Sequence, residues 1–431
     1  MMKYRLLFWP ILLSFSSPLV ADYEALPTFQ AKDVLPAQLL KGPNHQVQPL
    51  VTSNGFQNIY VVESSYGNFE ATGSLSLRKN IREADAFAYL EAMSKTKVFI
   101  SSLGAAGVDA TVAIAKSFTT PIETVKGISG GVTRLFSGYV TSTKRGISTS
   151  QKMLDGSGDE MSPEEFKELN YLVSDTERKW AKDLKTDPYT TNIKLRKAIT
   201  QMAVVDFIGG LPVSFALPAV GSVAISVLQE LGDKIYLQSA DELEVENRAC
   251  LSDAGIKAET IEAFFASTSM TPTMHTIFCE ATKRLDGVKN LDLPANQLAQ
   301  AASFEETRYL LNAVALLAWY QHEHDSIDRI TSRTRMPFGV TSSNELVAMV
   351  PGDFVIWSAE LESNLNQLDD EERPYTSKSL WMLGRTSDQA HGEFVKRGWV
   401  IHDRTNNEQM AAFYDKGLKA MQESPESVER E

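Results

Sequence analysis

Hydrophobic and polar positions along this chain change period twice, and each change marks an expected boundary. Gln46–Thr52, Ile59–Ser65 and Phe69–Leu77 alternate or carry β-branched and aromatic residues, the two-residue period of half-buried strands. Asn54-Gly55 and Gly67-Asn68 fall between them as turn signals. A three-stranded β meander is therefore expected over residues 45–80.

From about Ile81 the apolar positions recur at helical spacing. Ala84, Phe87, Ala88 and Ala92 begin a stripe that Val98–Ala115 continues with small residues. Thr120-Pro121-Ile122-Glu123 and Ser162-Pro163-Glu164-Glu165 each provide a cap, a first-turn proline and an acidic partner for a helix start. Asp187-Pro188 breaks the second of these runs before a helix from about Asn192. Asp241–Leu251, Ala258–Phe265, Pro272–Leu285 and Gln297–Tyr320 read as four amphipathic helices. Residues 81–330 are thus expected to form a helical body.

Further on the period shortens again. Leu346–Val350, Phe354–Trp357, Ser379–Leu383 and Trp399–His402 read as short strands. Ser387–Lys396 reads as a helix between the last two, with Gly384 before it and Gly398 at its C-terminal end. This order predicts an α/β module with parallel pairing over residues 335–415. Residues 22–44 contain three prolines and little periodicity, and are expected to be an extended linker. Residues 416–431 form an acidic tail. The expected fold class is mainly α, with a small N-terminal β meander and a small C-terminal α/β module.

The first 21 residues follow another grammar. Lys3 and Arg5 precede the apolar run Leu6–Leu13, which Pro10 interrupts, and small and polar residues lead to Leu19-Val20-Ala21. This is the pattern of a secretory signal peptide, too short to span a bilayer. Cleavage after Ala21 is expected, although Leu19 is an unusual residue two positions earlier; a retained anchor is the alternative. The expected address is the periplasm or the cell exterior.

Charge and cysteine content refine that picture. Loss of Lys3 and Arg5 takes the net charge from -13 to -15. A surface so acidic argues against nucleic-acid binding, which needs the opposite sign. Cys250 and Cys279 are the two cysteines. In an oxidising compartment an isolated pair of this kind is expected to form a disulfide, here pinning one helix to another.

Candidate chemistry is sparse. His322 and His324 stand two residues apart at a helix end, where they do not share a face, so a polar helix terminus explains them without a metal. Asp155-Gly-Ser157-Gly-Asp159-Glu160 has alternating oxygen ligands, but Glu160 and Phe166 replace the glycine and terminal glutamate of a calcium loop. Gly127-Ile-Ser129-Gly-Gly131 has the letters of a nucleophile elbow inside an expected helix. Gly384 and Ser387 open a helix after a strand, a position whose amides suit an anion. No cofactor, metal site or catalytic residue is implied.

Two segments point toward membranes. Lys116–Lys152 carries six bases against the single acid Glu123, and its Lys126, Arg134, Lys144 and Arg145 suit an anionic membrane surface. Residues 207–228 contain no charge but do contain Pro212 and Pro218, which disfavour a lone lipid-exposed helix. A buried helical hairpin accounts for both segments and is the preferred reading. The sequence is read as an exported envelope protein that works without catalysis by binding a protein partner. A membrane-active protein inserting the basic helix and residues 207–228, and an unrecognised hydrolase, are the alternatives.

Overall fold

A computed structural model describes residues 23–94, 162–209, 231–332, 334–369 and 374–410. The leader, the basic segment with Lys126, Arg134, Lys144 and Arg145, the 155–160 loop, the 127–131 motif and the acidic tail lie outside the described residues. So does most of 207–228.

The N-terminal layer begins where a linker was expected. Thr28–Gln30 is strand β1, followed by the single-turn helices α1 (Ala31–Val34) and α2 (Ala37–Leu40). Ala31, Leu35 and Leu39 are buried, and their four-residue spacing is the helical signal inside this proline-rich stretch. Next come β2 (Gln46–Val47), β3 (Leu50–Ser53), β4 (Asn58–Ser64) and β5 (Gly67–Thr72). All pair antiparallel: β2 and β3 share one edge of β4, β5 takes the other, and β1 extends β3. The strand expected over Phe69–Leu77 stops at Thr72. Gly73 takes φ +86°, a conformation that favours glycine, and turns the chain into α3 (Ser74–Ser94).

The helical part comprises α4 (Pro163–Asn170), α5 (Asp175–Asp183), α6 (Ile193–Gly209), α7 (Leu231–Leu237), α8 (Ala240–Asp253), α9 (Ala258–Ala266), α10 (Pro272–Arg284), α11 (Asp292–Ala299) and α12 (Phe304–Glu323). Ser162 and Glu165 form the expected capping box of α4. Ser174 with Glu177 and Ser239 with Glu242 do the same for α5 and α8. The single helix expected over Gln297–Tyr320 is two, because Ser303 caps a new start by accepting from Glu306 N. Helix α12 is buried on almost every side, as an apolar helix in a core must be. Among the described residues, no helix is long and apolar enough to cross a membrane.

The C-terminal sheet is larger than its sequence pattern. It contains β6 (Ile327–Thr331), β7 (Phe338–Thr341), β8 (Glu345–Val350), β10 (Ser377–Met382) and β12 (Trp399–His402), in the order β12-β10-β8-β7-β6. The three strands β8, β10 and β12 are parallel, as expected, while β6 and β7 add antiparallel pairs. Helices α13 (Ala359–Asp369) and α14 (Asp388–Lys396) make the crossovers. A short parallel pair, β9 (Phe354–Val355) and β11 (Arg385–Thr386), stands beside this sheet.

The expected mainly α class is therefore wrong. Among the described residues about 52% are helix and 19% strand, with two five-stranded sheets, one of them mixed. Strands β6 and β7 escaped notice because β6 lies where a helical run was expected to end, and all four residues of β7 are buried, which removes the alternation that marks a strand.

Two large apolar cores result. One gathers the N-terminal sheet with α1, α2, α3, α5 and α6; the other gathers α8 to α14 with the C-terminal sheet. Phe56 and Leu75 belong to the second core although they lie in the N-terminal layer. Tyr236 packs against both, and its hydroxyl donates to Thr186 O at 3.0 Å.

Cys250 on α8 and Cys279 on α10 are joined by a disulfide, with Cα atoms 6.1 Å apart and the two positions 29 apart in sequence. Closing a loop of this length stabilises by about 3–4 kcal/mol in the chain-entropy model. Replacing both by alanine should cost about that much in a urea melt; a loss below about 1 kcal/mol would contradict it.

His275 on α10 is enclosed by Phe264 and Phe265, with ring centroids 5.0 and 4.6 Å away. Burial pushes its imidazole down to about 3, so it is neutral when folded. Its unfolded value is near 6.5, so the unfolded chain binds the extra proton, and stability is lost as pH falls from about 6.5 toward 3. Urea melts between pH 7 and 4 should show His275→Leu losing stability less steeply than wild type, by up to about 1.4 kcal/mol per pH unit. Parallel acid limbs would refute this assignment.

Candidate functional site

The two sheets meet along a short stretch of backbone. Asp353 N and Phe354 N both donate to Phe56 O, at 3.0 and 3.3 Å, and Ile356 N donates to Gly55 O at 3.0 Å. The Asn54-Gly55 turn presents these carbonyls because the Asn54 side chain accepts from Phe56 N and Gln57 N. In return, the Asp353 carboxyl accepts from Asn58 N at 3.1 Å and from Ser74 N at 3.1 and 3.2 Å. Ser74 opens α3, so Asp353 caps the start of a 21-residue helix from the opposite layer. Burial pushes the Asp353 carboxyl up; its bonds to Ser74 and Asn58 and the Arg404 charge pull it back.

Gly384 and Ser387, the expected anion-binding pair, stand on this same junction. A Cβ on Gly384 would lie 1.9 Å from Asp353 O, so glycine is needed there for close backbone approach. Arg385 N then donates to Asp353 O at 3.1 Å. Ser387 caps α14 by accepting from Ala390 N at 3.1 Å. Its hydroxyl donates to the Glu24 carboxylate, which also accepts from Trp357 N. The chain's own N-terminal segment thus brings a carboxylate to Ser387.

A cleft of about 110 Å³ opens beside this contact. Phe29 of β1 and Phe354 of β9 form one wall, edge to face with centroids 5.1 Å apart. Asn58 and Tyr60 of β4 line it with Asp353. Asn58 is 3% exposed and donates from Nδ2 to the Tyr60 hydroxyl at 3.1 Å, while its Oδ1 is buried without a hydrogen-bond partner. Asp33, Arg385, Arg404 and Thr405 complete the lining. The Arg385 guanidinium sits 5.3 Å above the Phe354 ring. The turn carrying Arg404 and Thr405 is tied by Asp403, which accepts from Thr405 N and Oγ1 at 2.8 and 2.6 Å. The cleft therefore offers fixed acceptors, two cationic side chains and an aromatic wall, the composition of a small-ligand site.

Sequence reasoning missed Asn58, Asp353 and Arg404, and no local pattern would have found them. They come from β4, the turn before β9 and the turn after β12, and converge only when the two sheets dock. His322 and His324 do not converge with each other. His322 is exposed at 3.7 Å from the Glu323 carboxylate, and the ring of His324 packs 4.6 Å from Trp381, which also stacks on His402 at 4.1 Å. Burial and the nearby His324 push His402 down. Among the described residues, no three His, Cys, Asp or Glu side chains are grouped to hold a metal ion.

Asp353→Ala leaves the Asn58 and Ser74 amides without their acceptor and should cost about 2–4 kcal/mol in denaturant melts. Arg385→Gln, at an exposed side chain, should stay within about 0.5 kcal/mol of wild type. Equal effects of the two substitutions would refute the role given to Asp353. Comparison of the chain with protein-family models, curated proteins and solved structures found no match.

Proposed function

We propose that this is an exported envelope protein that works by binding rather than catalysis, and that its ligand or partner docks at the cleft between the two sheets. The observation that carries this reading is the cleft itself. Asp353 and the turn carrying Thr405 are held by hydrogen bonds to backbone amides before anything binds, and such preorganisation reduces the ordering cost of association. The Cys250–Cys279 disulfide supports an oxidising compartment, in agreement with the leader-like pattern of residues 1–21.

The test is expression of the full chain in a Gram-negative host. Fractionation should place the protein in the periplasm or medium, with the Cys250 and Cys279 peptides linked when mapped without reductant. Cytosolic protein with two freely alkylated thiols would refute export. A photo-crosslinking residue at Thr405, on the rim of the cleft, should give an adduct in the envelope that the same residue at Val245, 71% exposed on α8, does not. Identical adduct patterns at both positions would refute docking at the cleft.

A further inference from the structure

We infer that the junction cleft recognises a small zwitterion of the free α-amino acid class; this rests on reading the cleft as a binding site. Its lining carries groups of both kinds, with the carboxyls of Asp33 and Asp353 beside the guanidiniums of Arg385 and Arg404. A purely anionic ligand would bring its charge toward the two carboxyls, and a purely cationic one toward the two guanidiniums. A ligand carrying both charges a few bonds apart gives each set its partner.

Asn58 supplies the second observation. A buried amide oxygen without a donor is costly, and Asn58 Oδ1 is one, in a residue 3% exposed that lines the cleft. An ammonium group has three N–H donors and no acceptor, so it satisfies Asn58 Oδ1 while its charge faces the carboxyls. The α-carboxylate then falls to the guanidiniums, whose planar donors match a carboxylate in two parallel bonds. Arg385 is held for this against the Phe354 ring. A short apolar side chain is left to Phe29, Val34 and Phe354. The volume of about 110 Å³ accommodates a few heavy-atom groups and excludes a long peptide.

Isothermal titration calorimetry on the full disulfide-bonded protein tests this, with L-alanine, L-serine and L-valine as probes. N-acetyl-L-alanine lacks the ammonium charge and L-alaninamide lacks the carboxylate. At least one free amino acid should bind, and each blocked analogue of L-alanine should bind at least tenfold more weakly than L-alanine itself. Arg404→Gln and Arg385→Gln should each weaken the free amino acid at least tenfold and should not weaken L-alaninamide. Asn58→Ser should weaken L-alaninamide as well; should it fail to fold, the arginine variants still decide the matter. Equal binding of free and blocked forms would overturn the zwitterion while leaving the cleft a binding site. No heat from any free amino acid at millimolar concentration would also overturn it, and the Thr405 crosslink then judges the docking site separately.

Discussion

The carboxyl of Asp353 is the contact on which the arrangement of the two layers turns. It reaches from the C-terminal sheet to the backbone amides of Asn58, at the start of β4, and Ser74, at the start of α3. Its own peptide carbonyl accepts from Arg385, and its own amide donates to Phe56. One residue therefore ties together three backbone segments, at residues 56–58, Ser74 and Arg385. Such charge-assisted bonds to amides are stronger than neutral ones, and here they substitute for water that the docked layers exclude.

Around this contact the glycines and the N-terminal strap make sense. Gly384 allows the β11 backbone to press onto Asp353, and Gly73 releases the chain from β5 so that α3 can aim its first amide at the carboxyl. Glu24 closes the same region from the outside, joining the Trp357 amide to the Ser387 cap. The cleft is a consequence: it opens beside the line of hydrogen bonds that joins the turn at residues 54–58 to residues 353–356. Its inner residues Asn58, Tyr60 and Asp353 are fixed by the fold.

The larger core is stabilised differently. Helix α12 buries nearly its whole surface, and α8 and α10 are joined covalently beside it. The neutral His275 belongs to this interior, where burial makes charging it expensive. The helices and the disulfide stabilise this core, whereas the proposed recognition belongs to the junction, whose Asp353 also ties the layers together.

Sequence alone determined those features whose physics is local. The Ser162 capping box, the α8 to α10 helices, the Asn54-Gly55 turn and the parallel strands β8, β10 and β12 all follow from spacing and turn chemistry within a few residues. The two cysteines likewise announced a bridge by their isolation. Tertiary structure decided the rest. The full burial of β7 erased the alternation that marks strands, β6 lies where a helical run was expected to end, and the pairing of β1 with β3 turned an apparent linker into part of a sheet. The site residues Asn58, Asp353 and Arg404 carry no motif, because their chemistry depends on distances between segments rather than on neighbours along the chain. Hydrophobic period is a property of a single segment; a cleft is a property of how segments dock.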